Sequence, residues 1–165
     1  MIILGIDPGT AITGFGLIRK IKSQWQYIEC GCIKTSATVS LAERLDNIYS
    51  DVLSLIKKYK PRAVAVEDLF FFKNAKTAIK VAHARGVVIL AARRSGLPLF
   101  EYTPLQVKQS LTGYGRADKR QMQEMVKSLL CLNSIPEPDD AADALAVAIC
   151  HACSEKLLRQ ISSAG

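Results

Sequence analysis

Four carboxylates in this chain stand where local structure would present them to a reacting group. Asp7 follows the apolar run from Ile2 to Ile6 and precedes the Pro8-Gly9 turn, and Glu67 follows Ala63-Val64-Ala65-Val66. Asp140 and Asp143 are three residues apart in the first turn of an apolar helical stretch, hence on one helix face. Strand alternation puts Asp7 on the face of Ile3 and Gly5, and Glu67 on the face of Ala63 and Ala65. If those two strands are parallel neighbours, both carboxylates emerge at one sheet edge. Singly, each acid has an ordinary explanation as a turn residue, a strand exit or a dipole-matched helix start. Gathered together, like charges this close cannot all stay ionised without a cation. Oxygen-only ligation suits Mg²⁺, with Mn²⁺ as a substitute.

Other chemistries lack their parts. His83 and His151 are the only histidines, so a histidine-ligated zinc hydrolase and a Ser or Cys nucleophile with a histidine base are both poorly supplied. His83 is placed mid-helix and His151 near a helix C-terminus, where the dipole would stabilise a protonated ring. The pairs Cys30/Cys32 and Cys150/Cys153 have no zinc-knuckle turn around them and read as small core residues. Cations fall more suggestively. Lys73, Lys76 and Lys80 follow the Glu67 strand. Lys108 sits on a helix, and Arg116, Lys119 and Arg120 surround the Gly113-Tyr114-Gly115 loop and the next helix start. With the free N–H groups near Asp118 they would form a phosphate cradle. Phe70-Phe71-Phe72 cannot all face one core from a strand end, so at least one is free to stack or wedge.

The elements that must position these groups are legible in the 165 residues. The composition, 49% hydrophobic and 22% charged, is that of a globular domain and excludes collagen-like and disordered readings. A net charge of +7 favours a polyanionic partner, nucleic acid first. No apolar run approaches the ~20 residues that span a bilayer, and Asp7 interrupts the N-terminus before a signal-peptide core could form. An odd number of cysteines, five, in a domain able to fold without staples reads as reduced and cytoplasmic.

Ile2–Ile6 is apolar on both faces and reads as a central strand. Strands at Gly14–Ile18 and Trp25–Ile33 follow after short connections, giving an antiparallel meander. Ser40-Leu41-Ala42-Glu43 is a capping box opening a helix that Pro61 ends. A strand at Ala63–Val66, a helix at Asn74–Arg94 apolar nearly all round, and a strand at Leu97–Glu101 come next. Helices at about Pro104–Leu111, Asp118–Leu130 and Pro138–Cys153 close the chain. This order predicts an α/β fold, a mixed five-stranded sheet with helices on both faces and the fourth strand beside the first. One domain covers residues 1–153, and residues 154–165 form a tail expected to fray.

These residues resemble the RuvC family of bacterial Holliday junction resolvases, of the ribonuclease H-like superfold. The likeness is carried by Gly5-Ile6-Asp7-Pro8-Gly9-Thr10, Glu67-x-x-Phe70, Asn74-x-x-x-Ala78, Ala84-Arg85-Gly86, Gln106-Val107-Lys108-Gln109 and Asp140-Ala141-Ala142-Asp143-Ala144-Leu145-Ala146. It runs in order from residue 2 to about 153.

The resemblance implies a homodimeric endonuclease that binds four-way junction DNA and nicks two opposing strands symmetrically, in recombination and repair. Asp7, Glu67, Asp140 and Asp143 match the family's metal-binding catalytic acids, Phe70 the aromatic that probes bases, and Lys108 and Lys119 the cations at the scissile phosphate. Two Mg²⁺ ions ~4 Å apart would then serve the attacking water and the leaving oxygen, yielding 5′-phosphate and 3′-hydroxyl ends. The implied partners include the RuvA and RuvB branch-migration complex. Asp68 and Asp139 adjoin two of the assigned acids. Strand alternation and the spacing to Asp143 favour Glu67 and Asp140, with Asp68 and Asp139 left as alternatives, as Phe71 and Phe72 are to Phe70. An actin-like or sugar-kinase ATPase would share the first turn but needs a second lobe. A non-catalytic junction-binding module would leave four convergent acids beside DNA without a reason.

Overall fold

The computed structural model describes residues 1–22, 24–68 and 75–163. Five strands, β1 (Ile2–Asp7), β2 (Ile12–Ile21), β3 (Gln24–Lys34), β4 (Ala63–Glu67) and β5 (Leu99–Tyr102), form one sheet in the order β3-β2-β1-β4-β5. The first three pair antiparallel; β4 pairs parallel to β1 and to β5. The meander and the neighbouring first and fourth strands are therefore as expected. Both β2 and β3 extend beyond their apolar cores, because ladder hydrogen bonds continue through residues too polar to announce a strand.

Helices cover both faces. Ile3, Ile18 and Ala65 pack toward α3 (Pro104–Thr112), α4 (Lys119–Leu129) and α5 (Asp139–Ser163). Leu4, Ile6, Leu17, Val64 and Val66 point the other way, toward α1 (Leu41–Tyr59) and α2 (Ala75–Arg94). Burying β1 on both sides is what its unbroken apolar run requires. Helix α1 opens on the Ser40/Glu43 capping box and ends at Lys60 in the left-handed conformation before Pro61. Ile48, Val52 and Ile56, spaced by four, are its buried stripe. Among the described residues, one side of α2 is buried, through Ala84, Val88, Ala91 and Ala92. Ile79 and Leu90 are left half-exposed on the other side, with Ala82, His83 and Gly86 between them.

Helix α5 is the central crossing element, with Ala141 to Cys150 buried except Asp143. It continues to Ser163 instead of stopping near Cys153, because the run Glu155-Lys156-Leu157-Leu158-Arg159-Gln160 is made of good helix formers with no Gly or Pro to end it. This corrects the position of His151, which lies within the helix and not at its C-terminus. Its buried ring stacks on Phe100 at 4.2 Å, and its Nδ1 is 2.8 Å from the Tyr102 hydroxyl. Burial lowers its pKa, so the ring is neutral where a dipole-stabilised imidazolium was expected. Cys153 is likewise exposed, against a core assignment, while Cys150 is buried; all five thiols are free. Among the described residues no helix is long and apolar enough to cross a membrane.

Candidate active site

Asp7 and Glu67 close the adjacent parallel strands β1 and β4 on the face that α5 covers. What lowers α5 onto that face is the absence of side chains beneath it. A Cβ at Gly5 would fall 2.1 Å from the Ala144 carbonyl oxygen, and one at Gly14 would fall 2.0 Å from that of Asp140. Gly14 is also the ladder partner of Asp7. The first turn of α5 is thereby set directly over the end of β1, bringing Asp140 and Asp143 to Asp7.

The electrostatics report the crowding. Asp7 and Glu67 stand together at the ends of neighbouring strands, where each feels the other. Burial, then repulsion by Asp143 and Asp140, pushes Asp7 up to about 6. Burial, then the charges of Asp7 and Asp143, pushes Glu67 up to about 8. Burial likewise raises Asp143, against the pull of Lys119. Lys108 and Lys119 face this group across a cleft of about 220 Å³ that Glu67, Pro104, Val107, Met122 and Asp143 also line.

The neighbouring acids are drawn elsewhere. The Lys119 ammonium is 2.8 Å from Asp139 Oδ2 and 3.7 Å from Asp143 Oδ2. Asp139 Oδ1 accepts from Gln123 Nε2 at 2.8 Å, so both its oxygens are engaged outside the acidic group. That ion pair holds Asp139 below the usual carboxylate range and Lys119 above the usual ammonium value. Asp68 turns to the opposite face of the sheet, where Arg85 binds it at 2.9 Å.

The remaining cations are distributed less tightly. Arg116 is exposed in the loop before α4, Lys80 is exposed on α2, and Arg120 pairs with Glu124 one turn along α4 at 2.9 Å. Phe70, Lys73 and the side chain of Lys76 lie outside the described residues. The phosphate cradle expected at Asp118 is corrected in part. The Gln121 amide donates to Asp118 Oδ1 at 2.8 Å and the Asp118 amide to Gln121 Oε1 at 3.0 Å, so two of its donors are already used. Sequence reasoning overlooked Gly14, Arg85 and the tether on Lys119. Gly14 alone carried a signal, as a glycine inside a strand, which marks a close approach of other backbone.

Among the described residues no three acidic, His or Cys side chains converge around one point as they stand. The donor set nevertheless fits a hard divalent cation. It is all oxygen, it is partly buried, and its acids raise one another's pKa for want of positive charge inside the group.

Comparison with known proteins identifies the family. The family model described as crossover junction endodeoxyribonuclease RuvC matches residues 3–151. The protein of that name from Rubrobacter xylanophilus is 58% identical over 156 residues, 94% of this chain and 87% of its own length. That from Pelotomaculum thermopropionicum is 56% identical over 152 residues, 92% and 93% of the two chains. The structure of Thermus thermophilus RuvC in complex with Holliday junction substrate superposes with a TM-score of 0.90 at 37% identity, covering 95% of this chain and 96% of that one. Sequence and fold agree, and the chain belongs to the crossover junction endodeoxyribonuclease RuvC family.

Proposed function

We propose that this chain resolves four-way DNA junctions, nicking opposed strands by metal-dependent phosphodiester hydrolysis to leave 5′-phosphate and 3′-hydroxyl ends. The observation that carries the reading is the gathering of Asp7 and Glu67 at adjacent strand ends beneath the first turn of α5, which carries Asp140 and Asp143, faced by Lys108 and Lys119 across one cleft. Four acids in a protein of net charge +7 would repel DNA unless cations occupied them.

In this reading Asp7, Glu67, Asp140 and Asp143 hold two Mg²⁺ ions, with Mn²⁺ able to replace them. When bound, such ions supply Lewis-acid stabilisation of the phosphate charge and a water of lowered pKa. The protein's own groups do the rest. Asp7 and Glu67, held above the usual carboxylate range by burial and the neighbouring acids, would have to be ionised to hold cations, so loading would become easier as pH rises. Lys119, held by Asp139 and Asp143, keeps an ammonium at the cleft rim where a non-bridging phosphate oxygen would lie, and Lys108 approaches from α3. Phe70 stacks on bases at the crossover, and Lys73, Lys76, Lys80, Arg116 and Arg120 neutralise the arms.

Two copies pair through the half-exposed side of α2, Ile79, Ala82, Gly86 and Leu90. This offers two sites for two strands and doubles the positive charge. The protein works in the cytoplasm, with its thiols reduced, alongside the branch-migration proteins RuvA and RuvB. The test is cleavage of a synthetic four-way junction beside linear duplex of the same sequence, with Mg²⁺ and with chelator. Paired nicks in the junction alone, requiring the metal, are expected. Equal cutting of the duplex, or cutting in chelator, would overturn the reading.

A further inference from the structure

The Ala84-Arg85-Gly86 segment of α2 lies on the opposite side of the sheet from the acidic cluster. The function proposed above gives Arg85 no role. Its side chain is largely covered, 19% exposed, yet it carries a charge. One nitrogen, Nη2, meets Asp68 Oδ1 at 2.9 Å and Glu101 Oε2 at 2.6 Å. Its Nε is buried with no partner among the described residues.

The two carboxylates belong to the two strands that meet at Glu67. Asp68 is the residue immediately after Glu67, and Glu101 is the ladder partner of Val66, immediately before it. The Asp68 amide makes a further bond along this edge, donating to the Tyr102 carbonyl at 2.8 Å. Glu67 points to the α5 face while Asp68 reaches Arg85 on the α2 face, as alternation along an extended chain demands. Among the described residues the Asp68 amide makes the last ladder bond of this strand, and past it the chain is free to roll about its own axis. Clamping residue 68 from below removes that freedom, and with it the roll that would carry the Glu67 carboxyl away from Asp7.

We propose that Arg85 is a positioning residue for Glu67. From α2 it ties β5 to the chain leaving β4 and so holds the Glu67 carboxylate at the metal-binding edge. The inference rests on Glu67 being a metal ligand, and outer-shell partners of ligands commonly set affinity as strongly as this.

Mn²⁺ titrated into DNA-free protein, with free ion followed by electron paramagnetic resonance, tests it directly. Arg85→Met and Asp68→Asn should each weaken Mn²⁺ binding by about tenfold, and Arg85→Lys should recover part of the loss by holding one carboxylate. Junction binding in chelator should stay at the wild-type level. Glu101→Gln, which leaves the Arg85–Asp68 contact in place, should weaken Mn²⁺ less than Asp68→Asn. Long-range electrostatics alone predicts the opposite sign for Arg85→Met, since removing a positive charge should tighten a cation. Unchanged or tighter Mn²⁺ binding in Arg85→Met would therefore overturn the proposal. If that variant does not fold, as its melting curve would show, wild-type Mn²⁺ affinity in Asp68→Asn overturns it equally. Glu67→Gln separates the two levels of the argument. If it leaves Mn²⁺ affinity intact, the site assignment fails; if it weakens the ion while Asp68→Asn does not, only the role of Arg85 fails.

Discussion

Gly14 and Asp140 touch through their backbones: a Cβ at Gly14 would lie 2.0 Å from the Asp140 carbonyl oxygen. Since Gly14 is also opposite Asp7 in the β1–β2 ladder, this contact sets how far α5 stands above the sheet edge where Asp7 lies. Gly14→Ala must lift or shift the first turn of the helix. Overpacking of this kind costs about 1–3 kcal/mol, which should appear as a lowered Tm. Junction cleavage should fall further than the fraction of folded protein does, because Asp140 and Asp143 move away from Asp7. A variant with wild-type cleavage would show that α5 has more latitude than the contact implies.

Asp7→Asn should reduce cleavage on the order of 10²–10³-fold, as expected for loss of a central electrostatic group. Junction binding in chelator should hold or tighten, because a negative charge facing DNA has gone. Binding lost in parallel with cleavage in a metal-free gel shift would contradict the metal-holding role.

The metal-free protein should lose stability as pH rises. Glu67 in the folded chain titrates at about 8, above its ordinary 4.5, because burial and the neighbouring acids disfavour its charge. The folded state therefore binds this proton more tightly than the unfolded chain does. The stabilisation is fully present below the unfolded value and is lost as pH climbs through the folded one. In chelator, Tm should decline between about pH 5 and pH 8. Glu67→Gln should flatten that slope, and saturating Mg²⁺ should do the same by replacing the proton. A wild-type slope in Glu67→Gln would place the titration elsewhere.

Phe70→Ala separates stacking from packing. A base-stacking contact is worth roughly 1–3 kcal/mol, a ten- to hundredfold loss in junction processing with an unchanged melting curve. A buried phenylalanine would cost about 3–5 kcal/mol of stability instead, and that outcome would pass the DNA contact to Phe71 or Phe72.

Pairing through α2 predicts a solution mass twice the 18.1 kDa of the chain at micromolar concentration. Leu90→Glu, placed on the half-exposed side of that helix, should return the monomer with its fold intact. Sedimentation of the wild type as a single 18.1 kDa species would rule out this interface.

The local pattern of residues determines much of this molecule. An apolar run buried on both faces makes β1 central, the Ser40/Glu43 and Asp118/Gln121 boxes start α1 and α4, and strand alternation assigns Asp7 and Glu67 to one face. These are short-range consequences of dihedral preference and periodicity, which any stretch of chain carries with it. The choice of Glu67 and Asp140 over the acids beside them could also be argued from alternation and helical spacing. Their neighbours' partners could not. Asp68 is drawn to Arg85 and Asp139 to Lys119, pairs separated by 17 and 20 positions, and only packing brings such groups within hydrogen-bond reach. Tertiary structure alone likewise placed Gly14 under Asp140 and carried α5 past His151 to make that ring a buried neutral base. Pair distances across elements depend on how helices seat on a sheet, which side-chain volumes and missing Cβ atoms settle only when the whole core is assembled.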